Sequence, residues 1–273
     1  MDEEDNRILD DKREGVRFVL PASIVETREV ARDIFITRLR CAPISSAILA
    51  GQFVMLSFPG MLVPLLPRAF SVSDVHGDVL SLFYLRLGRG TNRLASMRQG
   101  EEVILNGPLG NGFPAPLPGT VTWCIVGGSG AAIIPLVHQA HLVRNAGIRF
   151  FYGARTKDQI YDFKFDLTLY STDDGSFGYH GTVLNLARTE LEKNPPDRIF
   201  ACGPTAMLSA VQREFRGKIP TYLSLETPMA CGTGLCQGCP VESGDGSVYF
   251  LACKNGPVFE AGEIGEIVTD KGL

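Results

Sequence analysis

The 273-residue chain lacks several features that would assign it to other classes of protein. Its longest apolar stretch, residues 121–137, is interrupted by three glycines and Pro135, which argues against a membrane-spanning helix. The N-terminal segment has no basic and apolar leader. Lys and Arg total 26 against 30 Asp and Glu, so there is no basic excess for a nucleic-acid surface. We expect a cytoplasmic protein that binds neither membrane nor nucleic acid.

Negative charge is concentrated at the N-terminus. The first fifteen residues hold seven acidic and three basic side chains, which together equal the formal net charge of −4 of the whole chain. We predict a disordered acidic tail over residues 1–15 and a folded remainder of neutral net charge.

The pattern of apolar residues changes near residue 114. Before it, six short runs separated by turns predict a six-stranded antiparallel β-barrel over residues 16–113. After a segment rich in proline and glycine, strands alternate with helices, which predicts a Rossmann-like, doubly wound parallel sheet over residues 120–220. A small segment over residues 221–273 carries four of the seven cysteines. The predicted fold class is therefore multidomain, with α+β and α/β parts.

The cysteines of that last segment have a diagnostic spacing. Cys231, Cys236 and Cys239 form a C-x4-C-x2-C unit, and Cys253 follows fourteen residues later. This is the plant-type spacing of 2Fe-2S ligands, and the glycines within the loop allow backbone amides to approach the sulfurs. Zinc held by the same four thiolates is the alternative, although only Cys236 and Cys239 form the short pair that zinc sites usually use twice. No histidine lies in the loop, which disfavours a Rieske centre.

A second group of residues suits a dinucleotide that carries a flavin. Arg68-Ala69-Phe70-Ser71 opens a predicted strand, where the arginine can pair with a diphosphate and the Ser71 hydroxyl can hydrogen-bond the edge of a flavin ring. Further along, Gly90 precedes Thr91, which is predicted to be the N-cap of a helix whose N-terminus can hold an anion. An exposed arginine and an ordinary capped helix remain the alternatives for each motif alone.

Two glycine-containing turns predict a nicotinamide dinucleotide site. Gly127, Gly128 and Gly130 lie between a predicted strand and a predicted helix over residues 131–146, although they depart from the G-x-G-x-x-G pattern. Cys202-Gly203-Pro204 follows a later strand, so it belongs to the carboxyl edge of the sheet, where ligands bind in such folds. Cys202 either faces the nicotinamide or is a buried thiol at a strand end.

Taken together, these motifs resemble the ferredoxin-NADP reductase superfamily, and within it the electron-transfer subunits of class B dihydroorotate dehydrogenase. Besides the motifs above, residues 107–113 and 172–176 carry the resemblance. It implies an FAD-binding barrel, a domain that binds NAD or NADP, and a C-terminal 2Fe-2S cluster. By position it assigns the FAD contacts to Arg68, Ala69, Phe70, Ser71, Tyr84, Leu85, Arg86, Gly90 and Thr91. The nicotinamide contacts predicted above are Gly127, Gly128, Gly130, Gly203 and Pro204, and the cluster ligands are Cys231, Cys236, Cys239 and Cys253.

The function that the resemblance implies is an oxidoreductase subunit. It would move electrons between NAD(H) and a partner subunit that carries FMN and oxidises dihydroorotate, a step of pyrimidine biosynthesis, within a hetero-oligomer. Ser71 and Cys202 are the predicted catalytic residues. Three alternatives stay open from the sequence: a subunit of a hydrogenase or bifurcating transhydrogenase, a reductase that needs no partner, and a zinc-stabilised binding module that is not an enzyme.

Overall fold

The structure is a computed structural model that describes residues 16–61 and 63–268. The predicted acidic tail, residues 1–15, lies outside the described residues. The strands of the first half are β1 Phe18–Ala31, β2 Ile34–Arg40, β3 Phe53–Ser57, β4 Arg68–His76, β5 Val79–Leu85 and β6 Glu102–Leu109. Those of the second half are β7 Val121–Gly127, β8 Gly147–Ala154, β9 Thr168–Thr172, β10 Tyr179–His180, β11 Arg198–Cys202, β12 Thr221–Ser224, β13 Pro240–Glu242, β14 Tyr249–Leu251 and β15 Val258–Glu260. The helices are α1 Ala42–Ser45, α2 Arg89–Ala95, α3 Ile134–Val143, α4 Val183–Leu191 and α5 Thr205–Phe215.

The first six strands form a closed antiparallel barrel in the order β1-β2-β5-β4-β3-β6. Side chains alternate between the two faces of each strand, so that Val54 and Leu56 of β3 fill the barrel together with Phe70 and Val72 of β4. Their neighbours Phe53 and Met55 belong to a different buried cluster, outside the barrel. The predicted six-stranded barrel is confirmed.

The second half forms a seven-stranded sheet in the order β10-β9-β8-β7-β11-β12-β15, parallel except for β15. Helix α3 packs on one face and helices α4 and α5 pack on the other, so the predicted doubly wound sheet is confirmed. The chain builds outward from β7 in one direction and returns to place β11 on its other side. Ligands bind at such a reversal of strand order, at the carboxyl ends of the two central strands.

Helix α3 and the parallel sheet have boundaries that differ from the sequence-based expectation. Residues Gly128–Ile133 form a 3-10 turn, and α3 begins only at Ile134, because Pro135 favours the first turn of an α-helix. The parallel sheet also extends past residue 220, since β12 and β15 belong to it. Among the described residues, no helix has the length and apolar character needed to cross a membrane.

Candidate active site

The carboxyl ends of β7 and β11 meet where the strand order reverses. Gly127 ends β7, Cys202 ends β11, and the two strands are hydrogen-bonded partners. The 3-10 turn after Gly127 packs against β4 and β5 of the barrel. The predicted nicotinamide turn and the predicted flavin strand are therefore neighbours, although about fifty residues separate them in the sequence.

Arg68 and Gly90 are in direct contact at the start of the flavin strand. A Cβ added to Gly90 would lie 2.9 Å from Arg68 Cγ, so only glycine allows α2 to approach this closely. Arg68 is half-buried as a residue, and its Nη1 donates to the carbonyl of Leu66 at 2.8 Å. The arginine predicted to pair with a diphosphate and the helix predicted to hold an anion are thus brought together.

Ala69 and Ser71 lie on the outer face of β4, which remains partly open. Ala69 is exposed and Ser71 is half-buried. A small side chain at position 69 leaves a flat surface beside a hydroxyl group and a guanidinium. The donors and the clearance on this face fit a flavin dinucleotide.

The side chains of Phe70 and Tyr84 point into the barrel. Their rings meet edge to face at 5.4 Å, and the Tyr84 hydroxyl lies 3.0 Å from Thr37 Oγ1. Burial raises the pKa of Tyr84 to about 12, so its phenol stays protonated. These two residues, predicted to contact FAD, have only their backbone atoms available for it.

Arg86 already has two partners. It donates to Asp33 Oδ1 at 2.6 Å, and its guanidinium lies 5.2 Å from the centre of the Phe35 ring. The side chain is exposed, and Leu85 before it is half-buried at the end of β5.

The prediction that Thr91 is the N-cap of α2 is wrong. The N-cap is Gly88, and Thr91 is the third residue of the helix. Its Oγ1 accepts hydrogen bonds from the amides of Leu87 and Gly88 at 2.9 and 3.0 Å. The Thr91 side chain therefore bonds back to the turn that precedes the helix, as the third residue of a capping box does.

The glycines of the nicotinamide turns allow two chain segments to touch. A Cβ on Gly130 would lie 2.7 Å from the Cα of Gly203, and one on Gly127 would lie 2.8 Å from Met207 Sδ. Gly128 has φ of +53°, and a Cβ there would meet nothing within 4 Å. The turn is tight on its inner side and open on its outer side, which suits a ligand that contacts backbone amides. Pro204 is exposed and stands at the N-cap of α5.

Cys202 is a buried thiol beside a carboxyl group. It is 4% exposed, and burial raises its pKa to about 12, with the negative charge of Glu226 acting in the same direction. It therefore stays protonated at neutral pH and is not a thiolate nucleophile.

Glu226 was missed by the sequence reasoning. Its pKa is raised because neighbouring protein atoms desolvate the carboxyl, although part of the residue remains open to solvent. Its position could have indicated a role, because it lies two residues after the end of β12, on the same sheet edge as Gly127 and Cys202.

Backbone amides donate hydrogen bonds to the sulfurs of two of the four C-terminal cysteines, Cys231 and Cys253. The amides of Thr233 and Cys236 each donate to Cys231 Sγ at 3.4 Å, and the amide of Gly234 donates to Cys253 Sγ at 3.1 Å. The bonds to Cys231 lower the pKa of that thiol to about 6, toward the thiolate that binds metal.

The four cysteines are not equivalent in their packing. Cys239 and Cys253 are buried with their sulfurs 3.2 Å apart, Cys231 is half-buried and Cys236 is exposed. Over residues 16–61 and 63–268, no three His, Cys, Asp or Glu side chains are grouped to hold one metal ion. Cys239 and Cys253 form a close pair of thiols, Cys231 accepts hydrogen bonds from backbone amides, and Cys236 lies in the same loop. This arrangement fits a cluster of two irons that each take two thiolates.

Comparison with known proteins agrees with this geometry. Residues 226–265 match the family described as the iron-sulfur cluster binding domain of dihydroorotate dehydrogenase B. The electron transfer subunits of dihydroorotate dehydrogenase B (NAD(+)) from Bacillus pumilus and Enterococcus faecalis are both 33% identical over 254 residues, covering 89% of this chain and 96% of theirs.

Solved structures share the fold. A structure of an NADH-dependent reduced ferredoxin-NADP oxidoreductase has a TM-score of 0.78 at 24% identity, with 90% of each chain covered. A ferredoxin reductase of carbazole 1,9a-dioxygenase has a TM-score of 0.65 at 21% identity, covering 76% of this chain and 69% of that one.

These findings confirm the predicted superfamily and favour the iron-sulfur interpretation of the cysteines over the zinc alternative. The chain belongs to the family of dihydroorotate dehydrogenase B electron transfer subunits, flavin and iron-sulfur oxidoreductases that use FAD, a 2Fe-2S cluster and NAD.

Proposed function

We propose that this chain passes electrons between NAD(H) and an FMN-containing subunit that oxidises dihydroorotate, within a hetero-oligomer. The names of its relatives as electron transfer subunits of dihydroorotate dehydrogenase B support this partner. One observation carries the proposal. The glycine turn after β7, Cys202 and the segment that leads to the cysteines all start from one edge of the sheet, and the flavin strand packs against that turn. The cytoplasmic location stays a prediction.

The barrel residues would hold FAD, which when bound exchanges a hydride with a nicotinamide and single electrons with the cluster. Arg68 would pair with the diphosphate beside the close-packed Gly90, and Thr91 would keep the turn in front of α2 closed. The Ser71 hydroxyl would donate to the edge of the ring, and the exposed methyl of Ala69 leaves space for it. Phe70, Tyr84, Leu85 and Arg86 would contribute mainly backbone contacts.

The sheet edge would bind the nicotinamide dinucleotide. Gly127, Gly128 and Gly130 would offer amides to its diphosphate, because the outer side of this turn is open at Gly128. Gly203 and Pro204 would shape the wall after β11. Cys202 and Glu226 would face the ring as a neutral thiol and a carboxyl with a raised pKa, which is able to hold or release a proton.

The cysteine loop would hold the cluster and connect the flavin with the partner subunit. Cys231, Cys236, Cys239 and Cys253 supply the thiolates. Cys236 is exposed, and its neighbour Leu235 is 86% exposed, so this corner of the loop is open to another protein. An exposed apolar side chain next to a ligand suits a subunit interface.

The first test uses the purified chain alone. We expect flavin and cluster absorption bands that bleach on anaerobic addition of NADH, with about two irons and two sulfides per chain. A colourless, zinc-containing protein would contradict the proposal.

The second test adds the FMN-containing dihydroorotate dehydrogenase subunit. We expect dihydroorotate to reduce NAD only when both subunits are present. Full turnover of a physiological acceptor by this chain without the second subunit would favour the reductase that needs no partner.

A further inference from the structure

The outer face of the barrel links the flavin strand to the cysteine loop. Met55 of β3 lies directly opposite Ala69 of β4, and in an antiparallel pair such residues project from the same face of the sheet. Met55 is 1% exposed and belongs to the buried cluster that contains Cys239 and Cys253. One side chain therefore stands beside the flavin strand and beneath the cysteine loop at the same time.

Gly232 brings the cysteine loop down onto this side chain. It follows Cys231, it is buried, and its φ of +71° favours glycine. A Cβ added here would lie 3.0 Å from Met55 Sδ and 3.1 Å from Leu109 Cδ1. The loop backbone thus rests on two apolar side chains, and the first cluster ligand is adjacent to that contact.

The two supports differ in their relation to the flavin strand. Met55 is next to β4, whereas Leu109 is on β6, which is separated from β4 by β3. Leu109 therefore supports the loop from a strand that does not pair with the flavin strand. This difference supplies a matched control.

The far side of the cysteine segment is fastened independently. Asn111 donates through Nδ2 to the carbonyls of Asn255 and Val258 at 2.8 and 2.9 Å, and its Oδ1 accepts from the Val258 amide at 3.1 Å. This attachment keeps the segment against the barrel, so a change at Met55 alters the local spacing rather than detaching the segment.

We propose that Met55 is the positioning residue that sets the spacing between the flavin on β4 and the iron-sulfur cluster. The inference rests on the flavin site proposed above. In each transfer the reduced flavin loses one electron and the oxidised cluster gains it, and Met55 fills the gap with a soft, polarizable thioether. Gly232 is its counterpart, since any larger residue there would push the loop outward.

The test compares Met55→Ala, Met55→Leu and Leu109→Ala in the full chain with both cofactors bound. We expect M55A to slow cluster reduction several-fold after NADH has reduced the flavin, while hydride transfer keeps the wild-type rate. M55L, which nearly conserves the volume, restores most of the rate, and L109A leaves it close to wild type. The magnetic interaction between the one-electron-reduced flavin and the reduced cluster, followed by electron paramagnetic resonance, weakens in M55A and not in L109A.

The readouts separate the possible outcomes. Unchanged electron transfer in M55A with both cofactors at full occupancy overturns the proposal, as does an equal slowing in L109A. If M55A loses the cluster, Met55→Val provides the same comparison with a smaller loss of packing. A wild-type chain without flavin, or one that NADH does not bleach, would refute the proposed function instead.

Discussion

The barrel face and the cysteine loop offer different kinds of contact to the groups that they are proposed to hold. On the barrel the proposed contacts are shared between the side chains of Arg68 and Ser71 and backbone atoms, because the side chains of Tyr84 and Arg86 already have protein partners in Thr37 and Asp33. In the loop, backbone amides donate to the sulfurs of Cys231 and Cys253, and Gly232 and Gly234 have the positive φ values that the path requires. Changes on the barrel should therefore have graded effects, whereas changes in the loop should decide whether the cluster is present.

The largest effect is expected from Cys239→Ser. Cys239 is buried against Cys253, and serine is a poor substitute for a thiolate ligand, so we expect iron and sulfide to be lost while flavin is retained. Cys41→Ser is the control, because Cys41 is also buried but lies in the barrel half. The iron, sulfide and flavin contents of both variants are measured after purification. Full iron content in C239S would show that this thiol is not a ligand.

A smaller effect is expected from Gly234→Ala. Its φ is +82°, and a left-handed conformation costs a residue with a Cβ about 1–2 kcal/mol. The amide of Gly234 also donates to Cys253, so we expect lower cluster occupancy or a shifted cluster potential.

Gly246→Ala is its matched control. Gly246 has φ of +70° in the turn between β13 and β14. It should lose similar stability in thermal unfolding while the cluster stays normal. Equal cluster defects in the two variants would mean that backbone strain alone is responsible.

On the barrel, Ser71→Ala should slow hydride transfer while flavin remains bound. The hydroxyl is proposed to stabilise the reduced ring, whereas Arg68 and the rest of the face still hold the dinucleotide. Loss of one hydrogen bond corresponds to about 1 kcal/mol, or roughly a fivefold change in rate. Stopped-flow reduction by NADH gives the rate, with Ser73→Ala, a buried residue of the same strand, as the control. An unchanged rate in S71A would remove Ser71 from the mechanism.

The smallest effect is expected from Glu226→Gln, as a dependence of stability on pH. The folded-state pKa of Glu226 lies above the ordinary value of 4.5, because neighbouring protein atoms partly desolvate the carboxylate of this otherwise exposed residue. Its contribution to stability is complete below pH 4.5 and is lost as the pH rises through the folded-state pKa.

Because glutamine does not ionise, E226Q should gain stability relative to wild type between acid and neutral pH. Thermal unfolding of wild type and E226Q at acid pH and at neutral pH gives the stability difference at each. A stability difference that does not change with pH would show that the carboxyl is fully solvated.

Local patterns predict the fold well because each element has its own signal. The apolar runs indicate the six barrel strands, and helix α5 has the bounds that the sequence predicts, residues 205–215. The predicted start of α3 at residue 131 is wrong. Glycines are typical of loops, so the sequence pattern does not show that the backbone of residues 128–133 forms a 3-10 turn ahead of the helix.

The candidate site is predictable only where one segment carries it. The four cysteines lie within 23 residues and have a recognisable spacing. Glu226 reaches its position through the pairing of β12 with β11, and Asn111 acts on residues more than 140 positions away. The sequence pattern places residue 111 in a glycine-rich linker, since no local pattern shows which distant carbonyls an amide will contact.

Strand β15 limits how this protein can be re-engineered. The chain leaves the sheet after β12, forms the cysteine loop, and comes back to pair β15 with β12 in antiparallel fashion. A truncated protein that ended at residue 225 would expose the edge of β12 and leave Phe259 absent from the core. The cysteine segment therefore cannot be exchanged as a cassette, and chimeras with other reductases should be joined before β7, where the chain passes from barrel to sheet.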